Sequence, residues 1–351
     1  FLTHQPDNYE WYSAFIRKLD VWMNIYPNEI VKIWNNALTE YWGRDNVWII
    51  CHNLTHFKHY HVDGVEDLVY TLKDYNNTDS HFMGNIYCNY IEATGDGYEI
   101  LWNWMTRDIS VKELNTWSND NELHCESHDL KNGDFLKKHL KNSEEFLNLV
   151  LNSLLVWLES SYYWKEDGLT RKLLEYTSVP NSISRSGSIN IGNISILMQA
   201  VEEAFLNHAR INSDWWKKEE TKLKESKELA FRYILTKAYR ENIENNLAGI
   251  ASQLLDKELF ESSELNYELG LLINESFQLL PEQIRDNIMT VIENLFSARV
   301  EEEEHFKNWY NRVRFDLFIR IPACLRSDSV NRFIDKLVPQ FGYYEPVRER
   351  Y

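Results

Sequence analysis

Glycine, proline, cysteine and positive charge are all scarce in this chain of 351 residues. There are 7 Pro and 12 Gly, and no proline stands between Pro27 and Pro180. So few breakers argue against a loop-rich β-sandwich and leave room for long helices. Only 4 Cys occur, Cys51, Cys88, Cys125 and Cys324. In a chain of this size without a secretory signal pattern they read as free, mostly buried thiols of a cytoplasmic protein rather than a disulfide framework. Lys and Arg number 37 against 54 Asp and Glu, a formal net charge of −17. A broad acidic field repels phosphate backbones, so nucleic acid is an unlikely partner, while a basic protein surface is attracted. No apolar run reaches the roughly 20 residues needed to cross a bilayer. The nearest, 146–158, is short and carries Asn148 and Asn152, so it reads as a core helix and no membrane partner is expected.

The chain also lacks the sequences that usually announce chemistry. No GxxxxGK[ST] phosphate loop is present, and Gly187 and Gly192 have the spacing of a loop but no following Lys. HExxH is absent, as is the Gly-x-Ser-x-Gly elbow of a serine hydrolase.

What is present is helical periodicity. Ile243, Leu247, Ile250 and Leu254 recur at i, i+4, i+7 and i+11; Leu265, Leu269, Leu272, Ile273 and Leu280 follow the same rule, as do Ile284, Ile288, Val291, Ile292 and Leu295. Three successive amphipathic helices with short polar breaks mean helix packed on helix. Hydrophobic residues make up 44% and aromatics 14%, enough for rings to dominate the packing. Upstream, a helix is expected over 9–25, broken by Pro27, and a second over 28–42 with Asn28 as its cap and Gly43 as its stop. Pairs follow over 46–60 with 65–75 and over 81–93 with 97–108. Residues 115–134 read as loop or short helices, 144–164 as a helix capped by Ser143, and 168–177 as short helices. Ser, Asn, Gly and Pro accumulate in 178–193. The expected organisation is therefore an aromatic-rich helical domain over 1–178, a linker or long loop over 179–193, and a helical-repeat domain over 194–351. That last domain is read as one helical stretch from Asp214 to Arg240, the three regular helices, a helix over 302–320 stopped by Pro322, and a final helix over 327–338 capped by Ser327. The fold class is all-α: stacked antiparallel helix pairs in an α-solenoid of HEAT or TPR type, in two lobes, because a single core stops growing at roughly 250–300 residues.

Residues 228–296, which contain ELAFRYILTKAYRENIENNLAGIASQLLDKELFESSELNYELGLLINESFQLLPEQIRDNIMTVIENL, and the later Ile321-Pro322-Ala323-Cys324-Leu325-Arg326-Ser327 resemble the helical-repeat regions of large bacterial STAND-type NTPases. The resemblance covers about a third of the chain. It implies the sensor or scaffold array of an antiviral defence protein, and so a piece of a longer polypeptide. ATP and magnesium would then belong to the parent protein, with no cofactor in this segment. Its partners would be the rest of its own chain and a protein ligand such as a phage protein.

Candidate chemistry is sparse. His52, His56, His59 and His61 are the densest group of metal-capable side chains, with His52 and His56 at i, i+4 and Cys51 beside them; Asp63 or Glu66 could add a carboxylate. Polar histidines at a helix end are the plainer reading. His124, Cys125, Glu126 and His128 form a smaller cluster without the Pro-Cys-x-x-Cys that a deaminase zinc site needs. Arg299 and His305 have the spacing of the catalytic pair in HEPN-type ribonucleases, which makes such an enzyme the alternative function. The intervening Glu301–Glu304 run would repel a phosphate substrate. Trp215-Trp216 and the Trp102/Trp104 pair could stack bases or anchor a partner, or simply pack between helices. The function expected from these observations is a non-catalytic helical-repeat scaffold or sensor segment that binds a protein partner.

Overall fold

Nearly all of the described chain is helical, and the placement of its apolar residues explains why. The structure is a computed structural model, and it describes residues 9–40, 46–73, 80–107, 109–113, 121–125, 133–160, 191–262, 264–297 and 304–342. The fold is all-α, with one small two-stranded sheet among the described residues.

Two compact units are present. The first comprises Phe1–Ser110, His124–Phe135 and Asn148–Ser153. Its helices include α1 (Tyr9–Lys18), α2 (Pro27–Thr39), α3 (Val47–Thr55), α4 (Val65–Leu72), α5 (Ser80–Thr94) and α6 (Tyr98–Thr106). Here α1 packs on α3 and α3 on α5, while α2 packs on α4. These contacts join second neighbours in the chain, and α5 also packs on α6, an arrangement consistent with stacked helix pairs. Large side chains fill the seams: Trp34 is fully buried with Phe57 edge-on at 5.6 Å. Gly64, at φ +84°, supplies the left-handed residue from which α4 starts.

Two expectations need correction in this unit. The first helix stops at Lys18, and Leu19–Val21 tighten into a 3-10 turn that keeps Leu19 and Met23 buried. Pro27 does not break that helix. It opens α2, where its missing N–H costs nothing, and so Tyr26 rather than Asn28 occupies the cap position.

Strand β2 (Asn121–Cys125) lies where loop or short helices were expected, and it pairs with β1 (Ile109–Glu113), for which no element was expected. Ile109 and Val111, then Leu123 and Cys125, alternate with polar residues, a period of two that suits a strand.

The second unit comprises Val111–Leu123, Leu136–Leu147 and Leu154–Tyr351. Helices α7 (Gly133–Asn142) and α8 (Glu144–Ser160) have residues in both units; α9 (Ile191–Arg210), α10 (Asp214–Glu225), α11 (Leu229–Glu241), α12 (Ile243–Leu254), α13 (Lys257–Glu261), α14 (Asn266–Ser276), α15 (Glu282–Glu293), α16 (Glu304–Arg320) and α17 (Asp328–Phe341) lie in the second. One row runs α9 on α11, α11 on α14 and α14 on α16. Around it, α10 and α12 pack on α11, α13 packs on α14 and α15, and α15 and α17 pack on α16. Three helix starts share one device: the hydroxyl oxygens of Ser143, Ser213 and Ser327 accept the backbone N–H of Phe146, Trp216 and Val330 at 3.2, 3.1 and 3.3 Å.

The single stretch expected from Asp214 to Arg240 is two helices. Ser226 and Glu228 have extended backbone between them. The cause is a change in burial. α10 hides only Trp215, Trp216, Glu219 and Leu223, whereas α11 buries nearly its whole circumference from Leu229 to Tyr239. One straight amphipathic helix cannot do both. The expected linker over 179–193 lies outside the described residues up to 190, and 191–193 already belong to α9; the short helices expected over 168–177 also lie outside them.

Candidate functional site

Charged residues inside an apolar helix are costly unless each finds a partner. Helix α11 carries three cations of this kind, Arg232, Lys237 and Arg240, and all three are paired. Lys237 Nζ meets Glu202 of α9 in a close ion pair and lies 5.3 Å from the Tyr233 ring centre. One turn on, Arg240 grips α14: its Nη1 donates to Glu268 at 3.0 Å, and its Nε and Nη2 donate to the two oxygens of Glu275 at 2.9 and 2.6 Å. Farther along the row, Arg320 of α16 lies over the Tyr267 ring of α14 at 5.7 Å. Glu202, Lys237, Glu268, Arg240 and Glu275 thus form a ladder of alternating sign across three stacked helices, and Arg320 of the fourth meets α14 through the Tyr267 ring. Burial alone pulls both Lys237 and Arg240 toward neutrality. The hydrogen bonds and charges of Glu202, and of Glu275 with Glu268, outweigh it and hold both cations above their ordinary ranges.

Behind the ladder the same helix holds a buried polar network. Arg232 donates to the Lys224 carbonyl and to Asp256 Oδ2, closing the α10 end. Its burial lowers its pKa, with Asp256 opposing. Gln253 Nε2 donates to the Thr236 hydroxyl and the Arg232 carbonyl. Tyr239 donates to Glu220 at 2.5 Å, and burial, with this bond, pushes the phenol's pKa up. A side chain at Gly249 would collide with that pair, so the glycine is what lets α12 approach α11. This network ties α10, α11 and α12 together, although Arg232 Nε and Gln253 Oε1 have no hydrogen-bond partner among the described residues.

The residues singled out from the sequence fare differently. His52 and His56 sit edge to face at 5.3 Å and His59 and His61 at 6.0 Å, two separate pairs rather than one cage. The rings of Phe82 and Phe57 continue these stacks. Among the described residues, no three His, Cys, Asp or Glu side chains gather as a metal site would require. Arg299 lies outside the described residues; His305 is in the first turn of α16, with its side chain also outside them. The side chains of His124 and Cys125 and the whole of Glu126 and His128 lie outside them too.

Both tryptophan pairs are packing elements. Trp215 and Trp216 are buried, and Trp216 Nε1 donates to Asn246 Oδ1 at 3.1 Å. Trp102 is buried and donates to Ser153 Oγ at 2.7 Å, while the Trp104 ring fills the space a side chain at Gly84 would need.

Sequence reading missed the ladder. Its signal was there: Arg232, Lys237 and Arg240 interrupt an otherwise apolar run, and Glu268 and Glu275 share one face of α14 two turns apart. Compared with protein-family models, with curated proteins and with solved structures, the chain matches none.

Proposed function

We propose that this chain is a non-catalytic helical scaffold or sensor segment that receives a protein partner along the row α9–α11–α14–α16. The observation that carries the reading is the alternation of stacked helices through 191–342, crossed by the charged ladder. Lys237, Arg240 and Glu275 are only partly covered, so the ladder keeps charge within reach of a neighbouring surface. A partner would be chosen by shape and charge along that row. The sequence resemblance adds the setting: part of a larger antiviral NTPase, in the cytoplasm, with a phage protein as the ligand and with ATP and magnesium held elsewhere in the parent. Binding would shift that parent between resting and active assemblies.

Affinity capture from phage-infected and uninfected bacterial lysates tests this directly. One protein should be retained from infected cells and lost with Glu275→Lys, which reverses the most exposed rung of the α11–α14 part of the ladder. Equal capture by both chains would remove the row as the recognition surface. The reading frame around this segment tests the parent: a GxxxxGK[ST] loop supports it, and a full-length frame without one overturns it.

A further inference from the structure

Four large apolar side chains crowd outward on the turn between α1 and α2: Val21 (65% exposed), Trp22 (50%), Ile25 (60%) and Tyr26 (52%). Clustered exposure of this kind is unusual on a protein surface and marks a contact site. The turn is held in this shape. Trp22 N and Met23 N donate to the Leu19 carbonyl at 3.0 and 2.9 Å, and Ile25 N and Tyr26 N both donate to the Trp22 carbonyl at 2.9 Å. Leu19 and Met23 anchor it by pointing inward. Asn24 Oδ1 accepts from Lys58 N at 3.0 Å, which fixes the neighbouring loop beside it. The Trp22 and Tyr26 rings lie 5.9 Å apart.

Charge around the turn runs against that of the chain. Arg17, Lys18 and Lys58 are exposed beside it, and Arg17 lies over the exposed Trp48 ring at 5.3 Å. Asp20 and Glu29 are the acids of the same segment. A cationic excess here stands on a chain of net charge −17. At physiological ionic strength charges more than about 8 Å away are largely screened, so the local groups decide what approaches.

We propose that this turn is a contact site for an anionic phospholipid surface. Val21 and Ile25 enter the acyl boundary, Trp22 and Tyr26 rest at headgroup depth, and Arg17, Lys18 and Lys58 meet the phosphates. Footprint decides between lipid and a globular partner or second copy. A stable protein interface takes roughly 20–30 residues a side, which four side chains on one turn do not supply. Weak, reversible adsorption to a bilayer needs only a few apolar side chains with cations beside them. That no described helix is long and apolar enough to cross a membrane does not bear on this contact, because adsorption to a surface needs no span.

Vesicle sedimentation at physiological ionic strength is the test, with phosphatidylcholine alone and phosphatidylcholine mixed with phosphatidylserine. The wild-type chain is expected to sediment with the mixed vesicles and not with the neutral ones. Trp22→Ser combined with Ile25→Ser should weaken that binding by about tenfold or more. Arg17→Ser, Lys18→Ser and Lys58→Ser together should abolish the preference for phosphatidylserine. Val21→Glu, which touches no ring contact, serves as the second variant if the double one loses its circular-dichroism helix signal. Wild type remaining in the supernatant with both vesicle types, or Val21→Glu sedimenting as wild type does, overturns the proposal and leaves the turn to a protein partner.

Discussion

The two units tie their helices together by different chemistry. In the first, neutral side chains donate to backbone carbonyls near helix ends. Asn53 of α3 donates to the Ile16 carbonyl in the last turn of α1 at 3.0 Å, and Tyr60 donates to the Leu54 carbonyl at the end of α3 at 2.6 Å. Asn35 of α2 donates to the Gly64 carbonyl, where α4 begins, at 2.8 Å. In the second unit ion pairs join the helices: Arg240, in the last turn of α11, holds Glu268 in the first turn of α14 and Glu275 near its end, and Lys237 holds Glu202 of α9. The two solutions carry different risks. A neutral bond that is lost leaves one orphaned polar group, whereas a broken ion pair in a covered place leaves a charge without its counter-charge.

The sharpest way to break the comparison is Arg240→Met. Glu268, 3% exposed, would lose its guanidinium, and Glu275 would lose both of its bonds. A loss of about 3–5 kcal/mol is expected in urea unfolding, with faster amide exchange along α11 and α14. Adding Glu268→Gln should return a large part of it, because the stranded charge is then gone. A cost under about 1 kcal/mol would mean that the ladder decorates the row rather than joins it. The counterpart in the first unit is Asn53→Ala. It removes the donor to the Ile16 carbonyl at a buried position, and about 1–3 kcal/mol should be lost. The effects should also separate by salt: that of Arg240 shrinks as ionic strength rises, since Glu275 is a third exposed, and that of Asn53 does not.

How far the sequence foretold this can be read residue by residue. The periodic runs around Ile250, Leu272 and Ile288 placed α12, α14 and α15, because burial of one stripe leaves a signal of fixed period. Ser143 and Ser327 placed two helix starts for the same local reason. The break at Ser226 was illegible: Lys and Glu on both sides are good helix formers, and only the all-round burial of α11, a tertiary fact, forces the chain to turn there. The strands at Ile109–Glu113 and Asn121–Cys125 are too short for their alternation to stand out. The ladder was illegible for a related reason. Pairings such as Lys237 with Glu202 and Arg240 with Glu275 join residues far apart in sequence, and a single chain does not show which charges the stacking brings together.

The smallest expected effect concerns His208, at the corner between α9 and α10. Its ring lies 4.8 Å from that of Trp215, and its Nδ1 is 2.8 Å from the Ser213 hydroxyl that caps α10. Nε2 is buried with no hydrogen-bond partner among the described residues. Burial favours the neutral ring and lowers its pKa below the ordinary 6.5, with the charge of Glu144 pulling weakly the other way. The sign follows. Above about pH 6.5 the ring is neutral folded or unfolded and costs nothing. As pH falls through that value the unfolded chain takes up the proton first, and stability drops until the folded ring protonates as well. One group can contribute no more than about 1.4 kcal/mol per pH unit to that slope. His208→Phe keeps an aromatic ring against Trp215 and removes the titration, so its unfolding free energy should fall less steeply than wild type between about pH 6.5 and 5. Parallel slopes would mean that the imidazole titrates alike in both states, and that this corner, unlike the charged row beside it, is indifferent to protons.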